Sequence, residues 1–163
     1  MVRLDTLLDS WKSVRQDTAQ AVEDMPESDL DFRPVPEVMT FREIARHILV
    51  SSYALTGMLL DGLEKMDRQE MVKRVPPVPT DAGGALLASE LRARLEERLP
   101  LLAARPPEFY AGIVTRFDGQ QVTRLEMVQT IKEHELTHRA QLFLYLRLKG
   151  IVPVTTRRRQ AAK

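Results

Sequence analysis

Two short signatures constrain this chain more than anything else in it. Thr40-Phe41-Arg42-Glu43 and Thr123-Arg124-Leu125-Glu126 each set a threonine three residues before a glutamate, at the head of a run with helical apolar spacing. In that pattern the threonine hydroxyl accepts from the backbone N–H of the glutamate, and the glutamate reaches back to the N–H of the threonine. Two helix-start donors that would otherwise lack partners are satisfied together. The first signature predicts a helix over about residues 41–66, with Ile44, His47, Ile48, Ser51 and Leu55 on its buried stripe. The second predicts a helix over about 124–149, ended by Gly150 and Pro153, with His134 and His138 on the stripe of Val128, Ile131, Leu142 and Leu146.

Two further helices follow from the same periodicity. Leu4, Leu7, Leu8, Trp11, Val14 and Thr18 lie on one face of a helix over about 3–24. Leu87, Leu91 and Leu95 mark another over about 82–99, capped by Thr80 or Asp81 and either kinked or ended at Pro100. Gly57 and Gly62 weaken the second helix without ending its pattern. The connection over 67–80 is proline-rich and long for a tight turn, so the helices on either side need not be antiparallel neighbours. Residues 106–122 are the least helical. There, Ile113 to Phe117, Asp118-Gly119 and Gln120 to Val122 suit a short hairpin. The fold class expected is all-α, a four-helix bundle with this hairpin before its last helix, in one domain over 1–153. The basic tail over 154–163, with Arg157, Arg158 and Arg159, is expected to be disordered and solvated rather than bound to nucleic acid.

Composition removes several function classes. The 163-residue chain has no cysteine, which excludes disulfides, thiolate metal sites and a cysteine nucleophile. Its formal net charge of +1 gives no general attraction to nucleic acid. Charge interrupts the first residues, unlike a signal peptide, and no apolar run is long enough to span a bilayer. A cytoplasmic location is the expectation, without membrane or nucleic-acid partners.

The chain has only three histidines, and all three fall on predicted apolar faces. His134 and His138 are one helical turn apart, a spacing at which two imidazoles can hold one ion, and His47 can reach them from a facing helix. The alternative is three unrelated core histidines, each needing its own partner for a buried polar nitrogen. One divalent metal satisfies all three. Zinc, nickel and iron(II) all suit such ligands, and imidazole ligation does not choose between them. His134-Glu135-x-x-His138 matches the pattern of zinc metalloproteases, with Glu135 as general base. Those enzymes usually take a third ligand from downstream, and Arg139 to Lys163 contain no His, Asp or Glu. Glu135 is rotated by about 100° from His134, toward either the surface or an outer layer of the site. Glu43 shares a helical face with His47 but is also the capping-box glutamate. Neither is well placed as a fourth ligand, so an open metal position beside Ser51 is expected. Glu135, Glu43 and Ser51 are the catalytic candidates.

These residues resemble a known family. His134-Glu-Leu-Thr-His138-Arg-Ala-Gln141, followed by Gly150 and Pro153, is similar to the last helix of the DinB/YfiT-like superfamily, and Thr40 to Ile48 is similar to its second helix. The loop Leu30-Asp31-Phe32-Arg33-Pro34 also resembles the family, and the likeness spans about residues 3–153. It implies an up-down-down-up bundle, a divalent metal, most often nickel or zinc, on His47, His134 and His138, and frequent homodimers. Apolar residues around Met58 to Met71, in excess of one core stripe, agree with a dimer. Characterised relatives include bacillithiol and mycothiol S-transferases and a mycothiol-dependent isomerase. The leading expectation is therefore a metal-dependent S-transferase, joining a low-molecular-weight thiol cosubstrate to a small electrophilic molecule. A metal-dependent hydrolase and a non-catalytic metal-binding stress protein are the alternatives.

Overall fold

Both capping boxes form. Thr40 Oγ1 accepts from the Glu43 N–H at 3.1 Å, and Glu43 Oε2 accepts from the Thr40 N–H at 2.7 Å. Thr123 Oγ1 and Glu126 repeat the pair at 3.2 and 2.7 Å. In the computed structural model, which describes residues 3–162, these caps open α2 (Phe41–Leu60) and α6 (Arg124–Leu148). Thr40→Ala or Thr123→Ala should each cost about 0.5–2 kcal/mol, read as a lowered urea midpoint. An unchanged midpoint for either variant would mean that its helix does not depend on the cap.

The remaining elements are α1 (Leu4–Asp24), a short α3 (Arg68–Val72), α4 (Gly84–Ala103), a short α5 (Pro107–Ala111), β1 (Ile113–Thr115), β2 (Gln121–Thr123) and α7 (Val154–Ala161). The four long helices form the bundle. Around it the order is α1, α4, α2, α6, so α1 and α2, though consecutive, sit on a diagonal. Cross-links give the directions. Arg92 on α4 pairs with Glu23 near the end of α1, and the Gly84 N–H at the start of α4 reaches Glu27, just beyond α1, so these helices run antiparallel. Tyr53 bonds Glu97, as α2 and α4 run parallel. The chain is a four-helix bundle of up-down-down-up type, and the long connection over 67–80 lets α4 run alongside α2.

Several boundaries differ from the sequence expectation. The second helix ends at Leu60, not near 66, because Gly62 takes a left-handed φ of 77° and turns the chain out. Asp67 then caps α3 through the N–H groups of Gln69 and Glu70. Neither Thr80 nor Asp81 caps α4. Glu27 does so from another segment, accepting from the Gly84 N–H at 3.0 Å. A Cβ on Gly83 would lie 2.7 Å from Glu27 Oε1, so glycine is what admits this carboxylate. The helix runs on through Pro100 to Ala103, since Leu102 is fully buried and anchors the last turn. The hairpin is present, with Val114 opposite Val122. The tail is helical rather than disordered over Val154–Ala161. Arg158 bonds Asp17 at 2.6 Å and Arg157 pairs with Asp24 at 2.8 Å, so α1 gives its charges partners. The apolar residues near Met58 are also accounted for within one chain: Met58, Leu59 and Met66 are buried in its core.

The interior has two apolar halves. One gathers Phe41, Ile44, Ile48, Leu87, Leu91 and Leu146; the other gathers Trp11, Leu55, Met58, Leu95, Met127 and Ile131. On α6 the break between them spans His134, Glu135 and His138; on α2 it spans Ser51 and Ser52; on α1 it spans Arg15 and Thr18. A polar layer therefore crosses the middle of the bundle.

Candidate metal centre

The polar layer has two faces. On the interior side, Glu135 is 1% exposed and Arg15 is equally buried. Arg15 Nε donates to Glu135 Oε1 and Arg15 Nη2 to Oε2, both at 2.8 Å. Thr18 Oγ1 donates to Oε1 at 2.9 Å and Trp11 Nε1 to Oε2 at 2.7 Å. Four donors fill the acceptor sites of the carboxylate. Burial alone would raise its pKa, but the Arg15 charge and these hydrogen bonds outweigh that and hold it below the usual carboxylate value. Glu135 is thus neither a surface charge nor a free base. The sequence carried a signal for this network: Arg15 sits four residues after Trp11, a charge on the buried stripe of α1.

On the other face the three histidines converge. His47 Nε2 lies 3.1 Å from His134 Nε2, and His138 Nε2 lies 3.2 Å from the same atom. One nitrogen from each residue falls within 4.8 Å of the other two. Nitrogens bound about 2.0–2.1 Å from one ion stand about 2.9 Å apart in octahedral geometry and about 3.3 Å apart in tetrahedral geometry. The observed spacing lies between these values. Hydrogen bonding alone does not satisfy the cluster. His138 Nδ1 is 2.7 Å from Gln141 Oε1, which fixes its proton on Nδ1 and leaves Nε2 an acceptor. His134 has at most one Nε2 hydrogen and cannot bond both neighbours through it. A shared cation satisfies all three lone pairs, so the residues fit a divalent metal.

The electrostatics agree. Burial, then the neighbouring His138, lowers the His47 pKa; burial, then His138 and His47, lowers that of His134 to about 4. Both imidazoles are neutral near pH 7, the form that binds metal. Gln141 orients His138 and was not among the candidates, although its place three residues along α6 was a readable signal. Ser51 is buried, with Oγ 3.5 Å from His47 Nδ1. Glu43 is held in the capping box.

His47, His134 and Ser51 border a cavity of about 420 Å³ with apolar walls that include Leu55, Met71, Phe117, Met127 and Ile131. His47 also borders a more polar depression of about 590 Å³ on the side of Met39, Glu43 and Arg46. The cluster is therefore approachable from two sides.

Residues 10–142 match the family model described as the DinB superfamily. The chain belongs to the DinB superfamily. A curated relative is the uncharacterised YjoA protein of Bacillus subtilis, 22% identical over 92% of this chain and 93% of that protein. The crystal structure of YjoA superposes with a TM-score of 0.70 at 21% identity, covering 89% of this DinB-superfamily chain and 92% of the other. YfiT from Bacillus subtilis, described as "a probable metal-dependent hydrolase with an unusual four-helix bundle topology", gives 0.72 at 18% identity, covering 93% and 91%. A mycothiol-dependent maleylpyruvate isomerase gives 0.66 at 11% identity, covering 86% of this chain and 61% of that one. At these identities the structural likeness establishes the shared fold. Among the described residues, no helix is long and apolar enough to cross a membrane.

Proposed function

We propose that His47, His134 and His138 hold one divalent metal, nickel or zinc, and that the protein is a metal-dependent S-transferase acting on small electrophilic molecules. The observation that carries this reading is the state of the carboxylates. Glu43 and Glu135, which α2 and α6 carry beside the histidines, are both held by other partners. A bound cation lowers the pKa of either nucleophile. A free thiol starts at about 8.5 and water at about 15.7, so the thiolate needs less help from a neighbouring base than hydroxide does. The chain has no cysteine, so the thiol comes from a low-molecular-weight cosubstrate. The two approaches to His47 support a reaction with two organic partners. Ser51 supports the His47 ring, Gln141 holds the His138 tautomer, and the apolar cavity excludes water from the acceptor. In the reaction the thiol gives its proton to solvent, the thiolate forms a C–S bond to the acceptor, and the acceptor releases its leaving group. A homodimer in the cytoplasm is part of the same reading.

The test is a panel of thiols, including glutathione, bacillithiol and mycothiol, with chlorodinitrobenzene as acceptor and nickel- or zinc-loaded protein. Conjugation well above the rate of thiol alone, with at least one thiol, is expected. Ester or amide hydrolysis without any thiol, together with no conjugation, would favour the hydrolase that the description of YfiT suggests.

A further inference from the structure

The mouth of the apolar cavity carries two arginines, Arg68 and Arg116. They come from segments far apart in sequence, and the backbone brings them together. The Met66 N–H donates to the Thr115 carbonyl and the Thr115 N–H to the Glu64 carbonyl, both at 2.8 Å. This short parallel bridge between Lys65 and Thr115 ties the segment before α3 to β1. Arg68 follows the bridge by three residues on one strand of it, and Arg116 by one on the other.

Elsewhere on the molecule, surface arginines are commonly matched. Arg42, Arg74, Arg92 and Arg94 each pair with a carboxylate at 2.9 Å or less. Among the described residues Arg68 has no hydrogen bond or ion pair from its side chain. Arg116 has one ion pair, to Asp118 at 3.4 Å, between partly exposed groups two residues apart in the hairpin loop. Exposed pairs of this kind are weak and readily exchanged. The cavity lining thus sets two guanidinium groups against the single carboxylate of Asp118. His47 and His134 line the same cavity, and a divalent cation held by them would add positive charge.

The geometry points to an acceptor that is an anion with an apolar body: a small carboxylate or sulfonate whose electrophilic carbon reaches the histidine cluster while its anionic group sits between Arg68 and Arg116. Guanidinium groups bind carboxylates through paired N–H donors, and a few charged groups at the rim of an apolar pocket fix the orientation of a ligand. Leu55, Met127 and Ile131 receive the body, and Phe117 and Met71 flank it on the way in. Arg68 and Arg116 are specificity residues and take no part in bond making. This inference rests on the reading of the histidine cluster as a catalytic metal site.

The experiment uses a chloronitrobenzoate and its methyl ester, two thiol acceptors that differ in the charge. Their binding to the full-length protein is measured by calorimetry, with and without metal. The acid should bind at least about tenfold more tightly than the ester, as one charge-assisted contact allows. Arg68→Ala with Arg116→Ala should abolish that preference while leaving ester affinity and thermal midpoint unchanged, and Arg68→Lys with Arg116→Lys should keep part of it. The preference should shrink with added salt. Equal binding of acid and ester, or a preference that survives the double alanine variant, overturns the inference. Loss of conjugation activity with the preference intact would instead overturn the transferase reading alone.

Discussion

Replacing His47 by alanine should abolish stable metal binding. His134→Ala and His138→Ala should do the same, because each removes one of three nitrogens that meet at His134 Nε2. Gln141→Ala should be milder, about 10–100-fold in affinity, since it removes only the partner that orients His138. Metal content after dialysis, by mass spectrometry, distinguishes the two grades of loss. Wild-type metal content in His47→Ala would remove the proposed site. A pH arm follows from the same histidines. In the unfolded chain an imidazole takes up its proton near pH ~6.5. In the folded, metal-free chain His47 takes it up at lower pH, and His134 at about 4. Between those limits the unfolded state binds more protons, so stability falls as pH falls from about 6.5 toward 4. The decline should be shallower in His134→Ala. Urea midpoints across that range measure both curves, and identical slopes would show that His134 is not buried in its neutral form.

The second large effect is on folding. Glu135→Gln should destabilise the protein by about 3–5 kcal/mol, because it leaves the Arg15 guanidinium buried without its counter-charge. Arg15→Met combined with Glu135→Leu should recover much of that loss, since an apolar pair of similar size carries no desolvation penalty. Urea unfolding of the two variants provides the measure. A single variant as stable as the wild type would mean that the pair contributes nothing in the folded state. A double variant no better than Glu135→Gln would mean that Trp11, Thr18 and Ser52 cannot repack around apolar groups.

The helices that carry the histidines were legible because their starts are local chemistry: four residues, two hydrogen bonds, one spacing. The bundle followed from period and length, and the hairpin from Asp118-Gly119. What escaped was decided by segments distant in sequence. Glu27 caps α4 across 57 residues, displacing two nearer candidates. Arg158 and Arg157 find Asp17 and Asp24 on the first helix, and a tail that looks solvated by composition becomes a helix. Gly62 reads as a weak point in a helical pattern until its positive φ makes it the end of that pattern. In the site, the spacing of His134 and His138 was decisive, whereas the role of Glu135 was not readable. Its helical angle turned it from the metal, but only the packing of α1 against α6 says that it faces an arginine.

The pairing of α2 with α6 also sets an order of events during synthesis. His47 and His134 stand 87 residues apart in the chain and meet only when the second and last of the four long helices have docked. Non-local closure of this kind slows folding relative to a bundle whose successive helices are neighbours. On the ribosome, His47 emerges long before its partners and can hold an ion only as a lone, weak ligand. On the proposed reading, metal capture belongs to the completed chain, and connectivity alone prevents loading of a half-made protein.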